Sequence, residues 1–217
     1  MNEATKTLSL LPELNTYFQG HSVLDIGAGI DKVVEHALDF DKKDGDAENI
    51  ESYFNPESFE VVFASHCLEH MHNPYKALDQ WFRLVMNEGV LIVIVPDEDL
   101  YEQGYFPSIF NSDHKRTFTI SKSASWSKAS VNILDLIHYL EQKGGNLERL
   151  QLQSNNYDFA KLRFPSRKMQ QLYKIPRVFS RLLPTLQKLK LCPIDQTRSG
   201  SMILAQIMFV IRKSNKV

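Results

Sequence analysis

Short apolar runs alternate with segments of helical spacing through the first half of the chain. The runs of strand length lie at 22–26, 37–40, 59–64 and 90–95. A helix is predicted over about 75–85, because Asn73-Pro74 is a helix start signal and Asn87-Glu88-Gly89 is an end signal. Continuous apolar strands separated by helices are typical of a parallel sheet that is covered on both faces.

The pattern of the second half predicts one helix and two further strands. Apolar residues recur at helical spacing over 131–142, and Gly144-Gly145 closes that segment. Polar and apolar residues alternate over 147–153 and over part of 203–212, which predicts the last two strands, the final one antiparallel. The expected fold class is therefore α/β, with a mostly parallel sheet in one domain that spans 1–217.

Residues 155–200, between these two strands, are too many for a hairpin loop, which usually has about 2–5 residues. The segment holds ten of the 25 basic residues and two of the 26 acidic ones, so its charge is +8 and the rest of the chain carries −9. A helical stripe of apolar residues, interrupted by Pro176 and Pro184, predicts two or three short amphipathic helices with a basic face. We name 155–200 the basic insert.

The composition is that of an ordinary globular protein. The chain has 217 residues, of which 43% are hydrophobic and 24% charged, which excludes a disordered tail or a bundle of membrane spans. Its longest apolar run, 202–211, is half of the about 20 residues that span a bilayer. Cys67 and Cys192 are too few for a disulfide framework, so free thiols are expected. Without a visible targeting segment at the N-terminus, a cytoplasmic location is expected.

A glycine turn follows the first predicted strand. The strand ends in Asp25, and Gly27 and Gly29 follow it in a Gly-x-Gly turn. Residues without a Cβ let the backbone pass close beneath a ligand. A buried turn without a ligand is the alternative explanation for so short a match.

Two acidic positions near the second predicted strand suggest a nucleoside site. Asp41 lies at the strand's end, where a carboxylate can accept both ribose hydroxyls, although Asp39 and Asp44 compete for this role. Asp46, followed by the small Ala47, has the position to hydrogen-bond an adenine amino group. The alternatives are a solvated charged run and an ordinary loop turn.

Polar residues also follow the third predicted strand. Ser65, His66, Glu69 and His70 come to the carboxyl end of the sheet, where ligands bind in open α/β folds. Three histidines of this segment, His72 included, suggest a metal site. No second cluster of ligands has clear spacing, so no metal is expected.

The order of these motifs resembles that of the class I S-adenosylmethionine (SAM)-dependent methyltransferases. The resemblance covers about residues 20–97 and rests on VLDIGAG (23–29), GDAEN (45–49), SHCLEH (65–70) and EGVLIVIVPD (88–97). The sequence most resembles the small-molecule branch that includes the ubiquinone-biosynthesis methyltransferases. Within that branch, PDEDLYEQG (96–104) and NSDHK (111–115) are similar to proteins found with bacterial surface-polysaccharide genes.

The resemblance implies a Rossmann-like sheet, SAM as cofactor and S-adenosylhomocysteine (SAH) as product. It implies that the methionine end is lined by Asp25, Gly27 and Gly29, that Asp41 holds the ribose, that Asp46 and Ala47 flank the adenine, and that Ser65 and His66 close over the cofactor. The sequence departs from the family where Gly29 and Asp41 are only 12 positions apart. The helix that the family has between its first two strands must therefore be shortened or lost.

Methyl transfer to a hydroxyl requires that the acceptor lose a proton, so a general base is expected. His114 is the candidate for the catalytic residue, and a loop-anchoring histidine is the alternative. His66 is the second candidate, although the cofactor-closing role fits it better. Asp97, Tyr101 and Tyr105 follow the strand at 90–95 and are expected either to shape the acceptor pocket or to form a surface loop with the tyrosines packed beneath it.

The expected function is methyl transfer from SAM to a hydroxyl of a small polar acceptor, such as a sugar or a lipid-linked glycan. A non-catalytic partner or regulatory subunit with the same fold stays open, because Ile30 and Asp31 stand where the family often has a third small residue in the glycine turn. A nicotinamide-binding oxidoreductase is a further alternative, but it predicts a fuller Gly-x-Gly-x-x-Gly loop than GAGIDK at 27–32.

Three roles are open for the basic insert. It is a lid, an arm for homodimer formation, or an element that binds a phosphate-bearing acceptor or lies peripherally on an anionic membrane. No nucleic-acid partner is expected, since no recognition motif accompanies the basic residues.

Overall fold

The computed structural model describes residues 3–198 and 200–215, except for the side chain of Arg177. Two parts of the basic insert, Ser199 and the Arg177 side chain, therefore lie outside the described residues. Within these ranges the strands are β1 (Val23–Ile26), β2 (Leu38–Phe40), β3 (Phe59–Ser65), β4 (Val85–Pro96), β5 (Thr117–Thr119), β6 (Ser130–Asn132), β7 (Gly145–Gln153) and β8 (Gln206–Lys213). The α-helices are α1 (Glu3–Leu10), α2 (Pro74–Leu84), α3 (Ile133–Glu141), α4 (Arg167–Tyr173) and α5 (Pro176–Lys188).

Six strands form one sheet in the order β2-β1-β3-β4-β8-β7. The pairs from β2 to β4 are parallel, and β8 runs antiparallel to both of its neighbours. The apolar run of β4 is buried because the sheet is covered on both faces. The prediction of a mostly parallel α/β sheet with an antiparallel last strand is confirmed.

The two faces of the sheet are covered in different ways. On one face α2 and α3 pack against the strands, with Trp81 and Leu136 fully buried. The other face is covered by α1 and a 3-10 turn, Pro12–Tyr17, after which Phe18 packs edge-on against Phe63 with ring centroids 5.6 Å apart. The sequence pattern did not predict this cover.

The connection from β1 to β2 contains no helix, as the short spacing predicted. Residues 27–37 run through turns, and α1 with the following 3-10 turn covers this face of the sheet.

The predicted extent of α2, about 75–85, agrees with the observed Pro74–Leu84, but the prediction of an end signal at 87–89 was wrong. The Asn73 side chain accepts a hydrogen bond from the Lys76 backbone N–H, and Pro74 takes the first helical position. The helix ends at Leu84, however, and β4 begins at once, so 87–89 belongs to the strand. At Gly89, β4 approaches β3 so closely that a Cβ there would lie 2.5 Å from the Glu60 carbonyl oxygen.

A small parallel pair of strands, β5 and β6, lies outside the main sheet and was not predicted. Each strand has three residues, too few for a recognisable alternation. Because Ser130–Asn132 pairs with β5, α3 begins at Ile133, two residues later than expected.

The basic insert contains α4 and α5, which agrees with the predicted short helices. Pro176 begins α5, but the prediction that Pro184 interrupts the helix was wrong, since α5 continues through it to Lys188. The insert docks through Phe179, which is buried beside Tyr105. Among the described residues, no helix has both the length and the apolar character to cross a bilayer.

Candidate cofactor and acceptor site

The carboxyl ends of β1 and β3 open onto two adjoining cavities. The first cavity has a volume of about 430 Å³ and the second about 380 Å³. Gly27, His66 and His70 line both of them, so the two spaces meet at these residues. This is the edge of an open α/β sheet at which ligands bind.

The glycine turn forms the floor of the first cavity. Gly27 has a φ of +79°, and a Cβ there would lie 2.9 Å from the Cβ of Cys67, so glycine is required for both reasons. Gly29 also has a positive φ, of +59°, but faces open space. The turn therefore provides backbone without side chains at the surface of the cavity.

Asp25 contributes a buried carboxyl group to the first cavity. Its Oδ2 accepts a hydrogen bond of 2.7 Å from the Val33 backbone N–H. Burial raises the pKa of Asp25 to about 7, in spite of this hydrogen bond. A cationic ligand group beside the carboxyl would favour its ionised form.

The N-terminal helix closes the first cavity from the side. Glu3 and Ala4 line it, and the Asp31 carboxylate accepts a hydrogen bond of 3.0 Å from the Thr5 backbone N–H. This contact ties α1 to the loop that replaces the missing helix. Glu3 and Ala4 could not be predicted as site residues, because α1 itself was not predicted.

Asp41 lines the second cavity, whereas the competing Asp39 and Asp44 do not. The Asp41 Oδ1 accepts a hydrogen bond of 2.7 Å from the Lys42 backbone N–H, which fixes the carboxylate at the end of β2. Asp39 instead forms a surface ion pair with Lys43. Of these three carboxylates, Asp41 is therefore the one at the cavity wall.

Asp46 and Ala47 also line the second cavity. The Asp46 side chain caps a 3-10 turn and accepts a hydrogen bond of 2.9 Å from the Glu48 backbone N–H. The Ala47 carbonyl accepts the indole N–H of Trp81 at 2.8 Å. Both residues are therefore held rigidly at the cavity wall.

The end of β3 brings Ser65 and His66 to the first cavity. The Ser65 hydroxyl oxygen is buried and has no hydrogen-bond partner among the described residues. His66 has a φ of +53°, a conformation that is uncommon for a residue with a side chain, and its Nε2 lies 3.0 Å from the Gln206 Oε1. An orphaned buried hydroxyl and a strained turn are features of ligand sites.

His114 reaches the first cavity from the loop after β4. Its side chain is 3% exposed, and its Nδ1 lies 2.6 Å from the Glu102 Oε1. The Lys115 backbone N–H donates to the Glu69 carbonyl at 2.7 Å and so anchors the loop. Glu102 was not identified from the sequence, because nothing in the spacing shows that a five-residue π-helical turn, Glu98–Glu102, aims it at His114.

Glu69 lies at the centre of the same end of the first cavity. It is fully buried, and the nearest ring nitrogens are His66 Nδ1 at 3.5 Å, His114 Nε2 at 3.9 Å and His70 Nε2 at 4.0 Å from Oε1. Burial opposes ionisation, but the adjacent His66 imidazole, which contributes most, holds the pKa of Glu69 below its ordinary value.

Of the three residues expected to shape an acceptor pocket, Tyr101 alone lines the first cavity. Contrary to the prediction, Asp97 does not line the cavity. Its Oδ1 caps the π-helical turn by accepting a hydrogen bond of 2.9 Å from the Leu100 backbone N–H. Tyr105 does not line the cavity either. Its buried ring packs against Phe179, and its hydroxyl lies 3.7 Å from the Cys192 sulfur. Both positions follow a strand end, but the chain turns their side chains into the interior.

Comparison with known proteins identifies the fold. Residues 10–93 match a family described as "Methyltransferase domain". A protein of Bacillus halodurans C-125 assigned as a methyltransferase has 20% identity and a TM-score of 0.57 over 96% of this chain and 99% of its own. A SAM-dependent methyltransferase of Archaeoglobus fulgidus has 16% identity and a TM-score of 0.57 over 98% and 95% of the two chains.

The plantazolicin methyltransferase BamL, solved with a triazolic desmethylPZN analogue and SAH, has 17% identity and a TM-score of 0.53 over 98% of this chain and 86% of its own. No curated protein matches the chain. At these identities, the solved structures establish a shared fold.

Proposed function

We propose that this chain is a class I methyltransferase that transfers the methyl group of SAM to a hydroxyl of a small polar acceptor. Its residues 10–93 match a methyltransferase domain family, and its fold is shared with SAM-dependent methyltransferases. The observation that carries the proposal is the pairing of His114 with Glu102 at the wall of the first cavity. A carboxylate at Nδ1 fixes the tautomer of the imidazole and leaves Nε2 free to take a proton.

The residues at the two cavities fit the cofactor. When bound, SAM supplies a methyl group on a sulfonium, a good leaving group, so the protein mainly has to orient the acceptor. The orphaned Ser65 hydroxyl and the side-chain-free turn at Gly27 are suited to hold it. In this proposal the methionine end lies at Asp25, Gly27 and Gly29, the ribose at Asp41, the adenine at Asp46 and Ala47, and Ser65 and His66 close over the cofactor.

The acceptor end of the first cavity is polar. Tyr101, Asn111 and His114 line it together, so hydrogen-bonding groups surround the space next to the proposed base. Such a lining suits a polyhydroxyl compound, and the likeness of 96–104 and 111–115 to surface-polysaccharide proteins supports a sugar or glycan. We propose that the hydroxyl proton passes to Nε2 of His114.

The alternative function is that of a non-catalytic partner with the same fold. Calorimetry with SAM and with SAH, followed by an assay of SAH release with candidate sugars and lipid-linked glycans, separates the two. We expect both nucleosides to bind and SAH to form with an acceptor. Binding of both nucleosides without turnover on any acceptor would favour the partner subunit.

We further propose that 155–200 is an insert within one domain and contacts an anionic membrane surface, as a lipid-linked acceptor requires. Val178 and Leu182 of α5 and Ile175, which precedes it, are exposed beside Phe179, which docks on the protein. Exposed apolar residues within a segment of charge +8 are typical of interfacial helices. A lid and a homodimer arm are the competing roles.

Sedimentation with vesicles tests this contact. We expect the protein to pellet with phosphatidylglycerol vesicles at low salt and to be released by salt, since each basic residue near the surface contributes about 1 kcal/mol. Leu182→Asp should weaken binding, whereas Leu134→Asp on α3, at 42% exposure against 41% for Leu182, should not. Absent or salt-insensitive binding contradicts the membrane contact, and a dimer in sedimentation velocity then favours the arm.

A further inference from the structure

Glu69, His70 and His114 form a cluster at the acceptor end of the first cavity. The carboxylate in this cluster has no hydrogen-bond donor among the described residues. The cavity is lined by all three residues. Both carboxylate oxygens of Glu69 are buried and accept no hydrogen bond from any residue that the structure describes. A buried carboxylate without donors is costly, so it calls for a compensating cation.

The two histidines cannot supply that compensation in their neutral form. The His70 Nδ1 lies 3.2 Å from the Asp113 carbonyl oxygen, and the His114 Nδ1 lies 2.6 Å from the Glu102 Oε1, so each ring donates its N–H away from Glu69. A neutral imidazole has one N–H, and both Nε2 atoms therefore carry lone pairs. Metal-ligating histidines are held by outward hydrogen bonds of this kind.

The separations suit one ion. The Nε2 atoms lie 4.0 Å and 3.9 Å from the Glu69 Oε1, and all three ligand atoms lie within 4.8 Å of one another. Ligands about 2.0–2.2 Å from a tetrahedral ion lie about 3.4 Å apart, so the two distances to Glu69 need to shorten by about 0.5 Å and the third by at most about 1.4 Å, which small side-chain rotations would supply.

We propose that Glu69, His70 and His114 bind a divalent first-row metal ion. Two imidazoles and one carboxylate favour an ion such as Zn²⁺ over Mg²⁺, which prefers oxygen ligands. The inference rests on the proposed function and refines it, because an ion at the cavity wall binds the acceptor hydroxyl and lowers its pKa, and the proton leaves to water. His114 then acts as a ligand in place of a direct base.

The fold assembles a cluster that the sequence does not show. Glu69 and His70 are adjacent, but His114 comes from a distant loop. The Glu69 carbonyl accepts the backbone N–H groups of Lys115 and Arg116 at 2.7 Å and 3.1 Å, and these contacts bring His114 into place. The sequence predicted no metal site, because no second group of ligands has clear spacing. In the folded chain, His114 supplies the further ligand from a distant loop.

Calorimetry tests the site with ZnCl₂ as the probe. Tag-free full-length protein is stripped with EDTA and titrated, as are Glu69→Gln, His70→Gln and the control His138→Gln, whose ring is exposed on α3 beside Glu141. We expect one Zn²⁺ per chain, an affinity reduced about 100-fold or more in the two cluster variants, and no change in the control. Glu102→Gln should weaken binding about 10–100-fold, as outer-shell partners do. Circular dichroism verifies that each variant is folded.

Two outcomes would overturn the proposal. In one, the wild type binds no Zn²⁺, and Glu69 is then compensated by a protonated His66, whose Nδ1 is 3.5 Å away. In the other, binding persists in folded Glu69→Gln and His70→Gln. Methyl transfer that continues in EDTA would leave the proposed function standing without the metal, whereas Zn²⁺ binding without turnover on any acceptor would reject the function and keep the site.

Discussion

His114→Ala is expected to lower kcat by about 10²–10⁴-fold, while the Kd of SAM stays nearly unchanged. The magnitude is that of a positioned group that helps to remove a proton from the acceptor. The affinity is unaffected because His114 lies at the acceptor end of the first cavity, away from Asp41 and the second cavity. Steady-state kinetics with saturating SAM and calorimetry with SAM give the two values.

His138→Ala is the matched control, because this histidine is exposed on α3 and lines neither cavity. It should leave kcat unchanged. Glu102→Gln keeps the shape of the side chain but removes the charge at Nδ1, so it should lower kcat less than His114→Ala and shift the pH profile of kcat. Equal turnover of His114→Ala and wild type would remove His114 from the mechanism.

The strands and helices that surround the cavities were predictable because their signals are local. The runs that became β1, β3 and β4 are mostly apolar, as is typical of strands buried on both faces. The start of α2 depends on two adjacent residues, Asn73 and Pro74. The position of Asp41 at the cavity follows from strand order alone, since parallel strands end at the same edge of the sheet.

Elements that depend on distant contacts were not predictable. α1 is short, and it is recognisable as cover for the sheet only once the helix between β1 and β2 is missing. The pairing of His114 with Glu102 depends on a π-helical turn that no spacing rule indicates. The same turn uses Asp97 as its cap, which is why a residue at a strand end became structural.

Asp41→Ala is expected to weaken the binding of both SAM and SAH by about 10–100-fold. Hydrogen bonds to a charged group contribute about 1.5–3 kcal/mol, and a carboxylate at the end of β2 is placed to accept the ribose hydroxyls that the two nucleosides share. The Kd values measured by calorimetry should therefore rise together, whereas kcat with saturating SAM should change little.

The matched control for this prediction is Asp39→Ala, because Asp39 lies two residues before Asp41, within β2, and pairs with Lys43 outside the cavity. It should leave both Kd values unchanged. An unchanged Kd for SAH in Asp41→Ala would mean that the ribose does not lie in the second cavity. Loss of SAM binding with intact SAH binding would place Asp41 near the sulfonium instead, because the two nucleosides differ only in the methyl group and its charge.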